Sequence, residues 1–136
     1  MTVEEAVYAR LSAGAAVQSL VGTRIYPLVA PQSASLPFLI YQESSHGRTR
    51  RLNGSTVMRE FRVRIDGYAE SYGTAKDIRD AVVNRLVDYA GTVDNVTIQD
   101  IDQEDTSDEH LPPIHADEQG IFGAGIDLVV YYTGGD

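Results

Sequence analysis

Two runs in which alternate residues form an apolar row constrain this chain more than anything else in it, because each reads as a long strand with one buried face. From Val57 to Tyr68, one row carries Val57, Arg59, Phe61, Val63 and Ile65, and the other carries Met58, Glu60, Arg62, Arg64 and Asp66. From Gly120 to Tyr132, Phe122, Ala124, Ile126, Leu128, Val130 and Tyr132 form one wholly apolar row. Gly123 and Gly125 lie on the opposite row, where they permit a bulge or the close approach of another backbone. An apolar row on a strand needs a second layer to cover it, so the chain must also supply helices or another sheet.

Helices are readable on either side of the first strand. Thr2 to Val21 has the period of an amphipathic helix, with Thr2 and Glu5 spaced as a capping box and Gly22 as its stop; Gly14 weakens its middle. Ser71 to Tyr89 is a second helix, capped by Ser71 or Thr74, with Ile78, Ala81, Val82, Leu86 and Tyr89 on one face. Shorter strands are expected at Thr23 to Tyr26, Phe38 to Glu43 and Val96 to Glu104. Three prolines make the stretch from Pro27 to Pro37 irregular. Ser44 to Ser55 reads as a polar, basic loop closing a long hairpin. Asp105 to Gln119 reads as an acidic loop broken by Pro112 and Pro113.

The order helix, short strand, hairpin, helix, hairpin shows no strand–helix–strand alternation that would support a doubly wound parallel sheet. The expected fold is α+β: a mainly antiparallel sheet of two hairpins with two helices packed on one face. The 136 residues fit one domain spanning 1–136. With no cysteine, neither a disulfide framework nor a thiolate metal site is available. The acidic start lacks the pattern of a secretory signal, and no apolar stretch approaches the roughly 18 residues of a membrane span. A soluble protein made in the cytoplasm, without membrane contact, is the expectation.

Charge is separated along the chain. The formal net charge is -9 and the pI about 4.6, which disfavours ordinary binding to phosphate backbones. Six of the 11 basic residues are Arg48, Arg50, Arg51, Arg59, Arg62 and Arg64, and none follows Arg85. Acids continue through the last third, among them Asp100, Asp102, Glu104, Asp105, Asp108 and Glu109. Arg48, Arg50 and Arg51, with Arg62 and Arg64, read as a contact surface for carboxylates. The acids read as the matching surface on a neighbouring copy, or as a channel wall.

Chemistry is sparse by comparison. No nucleophile elbow, P-loop, dinucleotide fingerprint or zinc-protease motif is present, and no cofactor is implied. His110 and His115 among Asp105, Asp108, Glu109 and Asp117 supply metal-type donors, but their spacing fits no known site and two prolines intervene. Asp100, Asp102 and Glu104 start like a calcium loop, yet Asp105 stands where that loop needs glycine. A solvated, mobile loop is the better reading of the first and the polar face of a strand that of the second, and no enzyme is expected.

The succession of motifs, rather than any one of them, resembles the tail-completion (tail-terminator, head-to-tail joining) proteins of siphophage-like particles. A helix leads to VGTRIYP, then to PQ and LPFLIYQ; a loop ends in LNG; then come EFRVRIDGYAESYGTAKDIRDAV and GIFGAGIDLVVYY. The resemblance covers nearly the whole chain, with the stretch from Asp105 to Gln119 its least typical part. It implies a non-enzymatic virion protein, assembled in the bacterial host cytoplasm, that forms a hexameric ring at the head-proximal end of the tail. The implied partners are further copies of itself, the tail tube protein and the head-completion or connector protein. DNA would pass through the lumen without specific binding. The competing expectation is a small acidic adaptor that binds one protein through the Arg48 to Arg51 loop.

Overall fold

The computed structural model describes residues 2–46, 50–52, 56–111 and 120–134. Three helices, α1 (Val3–Ser12), α2 (Ala15–Val21) and α3 (Tyr72–Leu86), accompany seven strands. These are β1 (Ile25–Pro27), β2 (Phe38–His46), β3 (Arg50–Leu52), β4 (Thr56–Ala69), β5 (Gly91–Val93), β6 (Val96–Leu111) and β7 (Ile121–Gly134). The main sheet runs β1-β2-β4-β7-β6-β5, and β3 pairs with β4. Every pairing is antiparallel except that of β1 with β2. The α+β sheet of two hairpins is as expected; its helical layer has three members, not two.

The capping box is present. The Thr2 hydroxyl accepts from the Glu5 N–H at 3.2 Å, and Glu5 Oε1 accepts from the Thr2 N–H. The helix expected to continue to Val21 stops at Ser12, because extended Gly14 is the N-cap of α2. In α3, Ser71 is the cap, accepting from the Thr74 N–H at 3.2 Å. That helix ends at Leu86, with extended Val87 as its C-cap, so the stop precedes Tyr89 and Gly91.

The apolar rows meet the helices. Phe61, Val63 and Ile65 of β4 and Ala124, Ile126, Leu128, Val130 and Tyr132 of β7 are buried with Val7, Leu11, Val21, Ile78, Val82 and Leu86. Each fully buried large apolar side chain contributes roughly 1.5–3 kcal/mol. Phe122, at the end of its row, is half-buried. Gly67 lets α3 settle close onto β4: a Cβ there would lie 2.6 Å from Ile78 Cγ2.

Both hairpins extend beyond their expected ends. β2 pairs with β4 from Phe38 opposite Tyr68 to His46 opposite Phe61, and β3 takes up the pairing at Arg50 opposite Met58. Part of the expected basic loop is therefore strand. β6 follows β7 to Leu111 opposite Ile121, across irregularities at Ile98/Asp100 and Gln103/Asp105. The expected strand end at Glu104 and loop from Asp105 are corrected by this pairing: main-chain bonds to β7 hold the acidic segment extended without an apolar row of its own. Residues 112–119 lie outside the described residues.

Candidate assembly surface

Opposite the helices, the sheet presents a charged face built from the polar rows of β4, β7 and β6. Sheet order explains its character. Arg62 and Arg64 on β4 lie opposite Val129 and Asp127 on β7, which in turn lie opposite Asp102 and Asp105 on β6. Charges far apart in sequence thus become second neighbours across one strand.

Two arginines bridge that strand. Arg62 pairs with Glu104 of β6 and lies 3.9 Å from Glu60. Arg64 reaches Asp66 at 3.1 Å, Asp127 at 3.2 Å and the Ser107 hydroxyl. Burial alone would lower the Arg64 pKa, but the Asp66 and Asp127 carboxylates outweigh it and hold the guanidinium above its ordinary value. Val129, beneath these side chains, is buried although it lies outside the helix-covered core.

The glycines of β7 make this crossing possible. A Cβ on Gly125 would meet Asp66 Oδ1 and lie 2.9 Å from Arg64 Cζ, and one on Gly123 would lie 2.9 Å from Tyr68 Cε1. A bulge or a close backbone was expected at these glycines; what approaches them instead is side chains, Asp66, Arg64 and Tyr68 of β4 and Glu109 of β6. Between them is a polar recess of about 190 Å³, lined by Arg64, Asp66, Tyr68, Ser107, Glu109, Gly123 and Gly125. Burial, then the Asp66 charge and a hydrogen bond with Glu109, push the Tyr68 hydroxyl well above the usual tyrosine range. That hydroxyl remains a neutral donor.

The remaining predicted residues occupy distinct places. Arg48 lies outside the described residues. Arg50 and Arg51 are on β3, opposite Met58 and Val57. Asp105 Oδ1 accepts from the Thr106 N–H at 2.9 Å, and Asp100 Oδ1 likewise accepts from the Ile101 N–H at 2.9 Å. Asp108 binds α3, accepting from Tyr72 Oη at 2.7 Å and pairing with Arg79 at 2.7 Å. The Tyr72 bond first, and then Arg79, lower the Asp108 pKa. His110 stacks on Phe122 with centroids 4.6 Å apart, while His115 and Asp117 lie outside the described residues.

One cluster was not expected. The carboxylates of Asp88, Asp100 and Asp102 converge within 4.8 Å of one another. Asp100 above all raises the Asp102 pKa, with burial and Asp88 adding to it. Two of the three acids are exposed, an arrangement common on acidic surfaces, and together they form a negative patch. Sequence reasoning also missed Asp127, Ser107, Tyr68 and Arg79. For Asp127 a signal existed, since it is the charged residue in the row that holds Gly123 and Gly125.

Comparison with known proteins accords with this architecture. Among solved structures, a chain of the virion of a native gene transfer agent particle has the same fold. The TM-score is 0.70 at 19% identity, covering 98% of this chain and 96% of that one. No curated protein matches the sequence. A family model described as tail completion protein gp17 matches residues 5–112. That match covers well over half of the chain, from within α1 through β6, and the chain therefore belongs to the tail completion protein gp17 family.

Proposed function

We propose that this chain is a structural virion protein whose copies form a six-membered ring that terminates the tail tube at its head-proximal end and joins it to the head connector. The observation that carries the reading is family membership over residues 5–112, to which the fold shared with a gene transfer agent virion chain adds support. A ring needs two different patches that meet head to tail on neighbouring copies. In this reading the Arg48, Arg50 and Arg51 segment is one, and the unneutralised acids of β6 are the other. Net negative charge also suits a lumen through which DNA slides without sticking, since like charges repel.

The role is architectural, and no reaction is assigned to it. Light scattering coupled to size exclusion, alone and beside the tail tube protein, tests the proposal: a mass near six subunits is expected. A chain that stays monomeric at high concentration and binds no tail tube protein would sink it, leaving the acidic adaptor.

A further inference from the structure

Among the described residues the sheet has several open edges, and two of them, on β3 and on β6, lie at opposite corners. β3 pairs with β4, and among the described residues no strand lies on its other side. β6 pairs with β7 along its length, but its outer neighbour β5 covers only Val96 to Ile98. From Asp102 to His110 every residue of β6 is exposed. An open edge displays main-chain donors and acceptors that can take up another strand.

Local chemistry narrows the usable part of the β6 edge. At the two irregular places, the chain satisfies its own groups: Asp100 accepts from Ile101 N–H, Asp105 accepts from Thr106 N–H, and Asp88 N–H donates to Ile101 O at 2.9 Å. Beyond Thr106 the register with β7 is regular through to Leu111. There Arg79 donates to Ser107 O at 3.3 Å, a single contact from α3 to the main chain of this run.

We infer that the β6 edge from Ser107 to Leu111 receives β3, Arg50–Leu52, of a second copy, so that neighbouring sheets join through main-chain hydrogen bonds. This deepens the ring reading and rests on it. Charge selects the occupant. Two whole copies at net charge -9 repel, so a contact must set basic against acidic segments. β3 carries consecutive arginines, with Arg48 just before them, whereas the β6 segment from Asp100 to Glu109 carries six acids. Within the chain, Arg62 pairs with Glu104 and Arg79 with Asp108, which leaves an acidic surplus. The donor strand and the acceptor edge differ, so the contact is head-to-tail and can close into a ring. Their positions at opposite corners stagger successive copies along the strand direction, as closure of a sheet into a cylinder requires.

The chain has no cysteine, so a cross-link can be placed at will. Paired antiparallel strands hold facing Cα atoms about 4.5–5.5 Å apart, within the roughly 4.4–6.8 Å a disulfide spans. Arg51→Cys protein is mixed in turn with Glu109→Cys, His110→Cys and, as a control on β5, Thr92→Cys, each first shown folded by circular dichroism. Oxidation should give mixed dimers with at least one β6 variant and none with the control. A six-subunit mass with no β3–β6 cross-link would overturn this interface and leave the ring intact. Persistent monomers with and without tail tube protein would overturn both. Hydrogen-exchange protection of Ser107 to Leu111 that appears only when tail tube protein is added would give the edge to that protein and overturn the second copy.

Discussion

Arg64 lies across β7 because Gly125 has no side chain in its path: a Cβ there would come within 2.9 Å of Arg64 Cζ. Glycine weakens a strand interior through its backbone freedom, so its presence in β7 reflects the space the guanidinium takes.

Gly125→Ala should therefore destabilise the fold despite the better strand propensity of alanine. Crowding a packed site costs about 1–3 kcal/mol, readable as a lower midpoint in urea denaturation. Gly73→Ala is the control, since a Cβ at Gly73 meets nothing within 4 Å. Equal midpoints for the two variants would refute the crossing argument.

Arg64→Ala and the double change Arg50→Glu/Arg51→Glu should separate stability from assembly. The first removes a guanidinium held by Asp66 and Asp127 and should lower the denaturation midpoint. The second should abolish oligomers in light scattering while circular dichroism still shows the isolated chain folded. Glu109→Lys in the same chain should restore part of the assembly. Oligomers that persist in the double variant, with the same salt sensitivity, would remove β3 from the contact.

Two aspartates should respond to acid with opposite signs. The folded-state pKa of Asp108 is lowered by Tyr72 and Arg79, so its contribution is present above the unfolded aspartate value of about 3.9 and is lost as pH falls through the lowered folded value. Asp102 is raised, chiefly by Asp100, so its charge opposes folding at neutral pH and protonation relieves this as pH falls through the raised value. Asp108→Asn should lower the Tm at pH 7 and Asp102→Asn should raise it. Both differences should shrink below pH 4 in thermal melts.

Arg10 and Arg85 clamp the ends of α1 and α3 to each other. Arg85 Nε donates to Arg10 O at 2.7 Å and Arg10 Nε to Arg85 O at 3.3 Å, while Arg10 covers the Tyr89 ring at 4.0 Å. Each arginine meets carbonyls at the negative end of a helix. Single alanine substitutions should each cost about 1 kcal/mol, and the double variant should cost less than their sum. Strict additivity in the double-mutant cycle would show that the two bonds act independently.

Legibility in the sequence tracked burial. β4 and β7 were readable because each has one row against a core, and the period of two records that contact. β6 beyond Glu104 was not, since residues 102–110 are exposed on both rows and main-chain pairing alone holds them extended. The break between α1 and α2 turns on a single glycine, which weakens a helix without announcing that it will cap the next one. The union of β4 with β7 has no turn residues to advertise it, because the strands are joined through α3, β5 and β6. For the same reason the separation of charge was visible, while the internal pairs of Arg62 and Arg64 were not.

The placement of β7 has a consequence for how the protein is made. It follows every other element in chain order, yet it lies between β4 and β6 in the sheet. Contacts between residues so distant in sequence form slowly, because a long loop must close before they are rewarded. On the ribosome, β4 and β6 emerge with their inner edges bare and wait for the strand that joins them. Until β7 is translated, the nascent chain exposes the surface most open to misassociation, and chaperone demand should peak there.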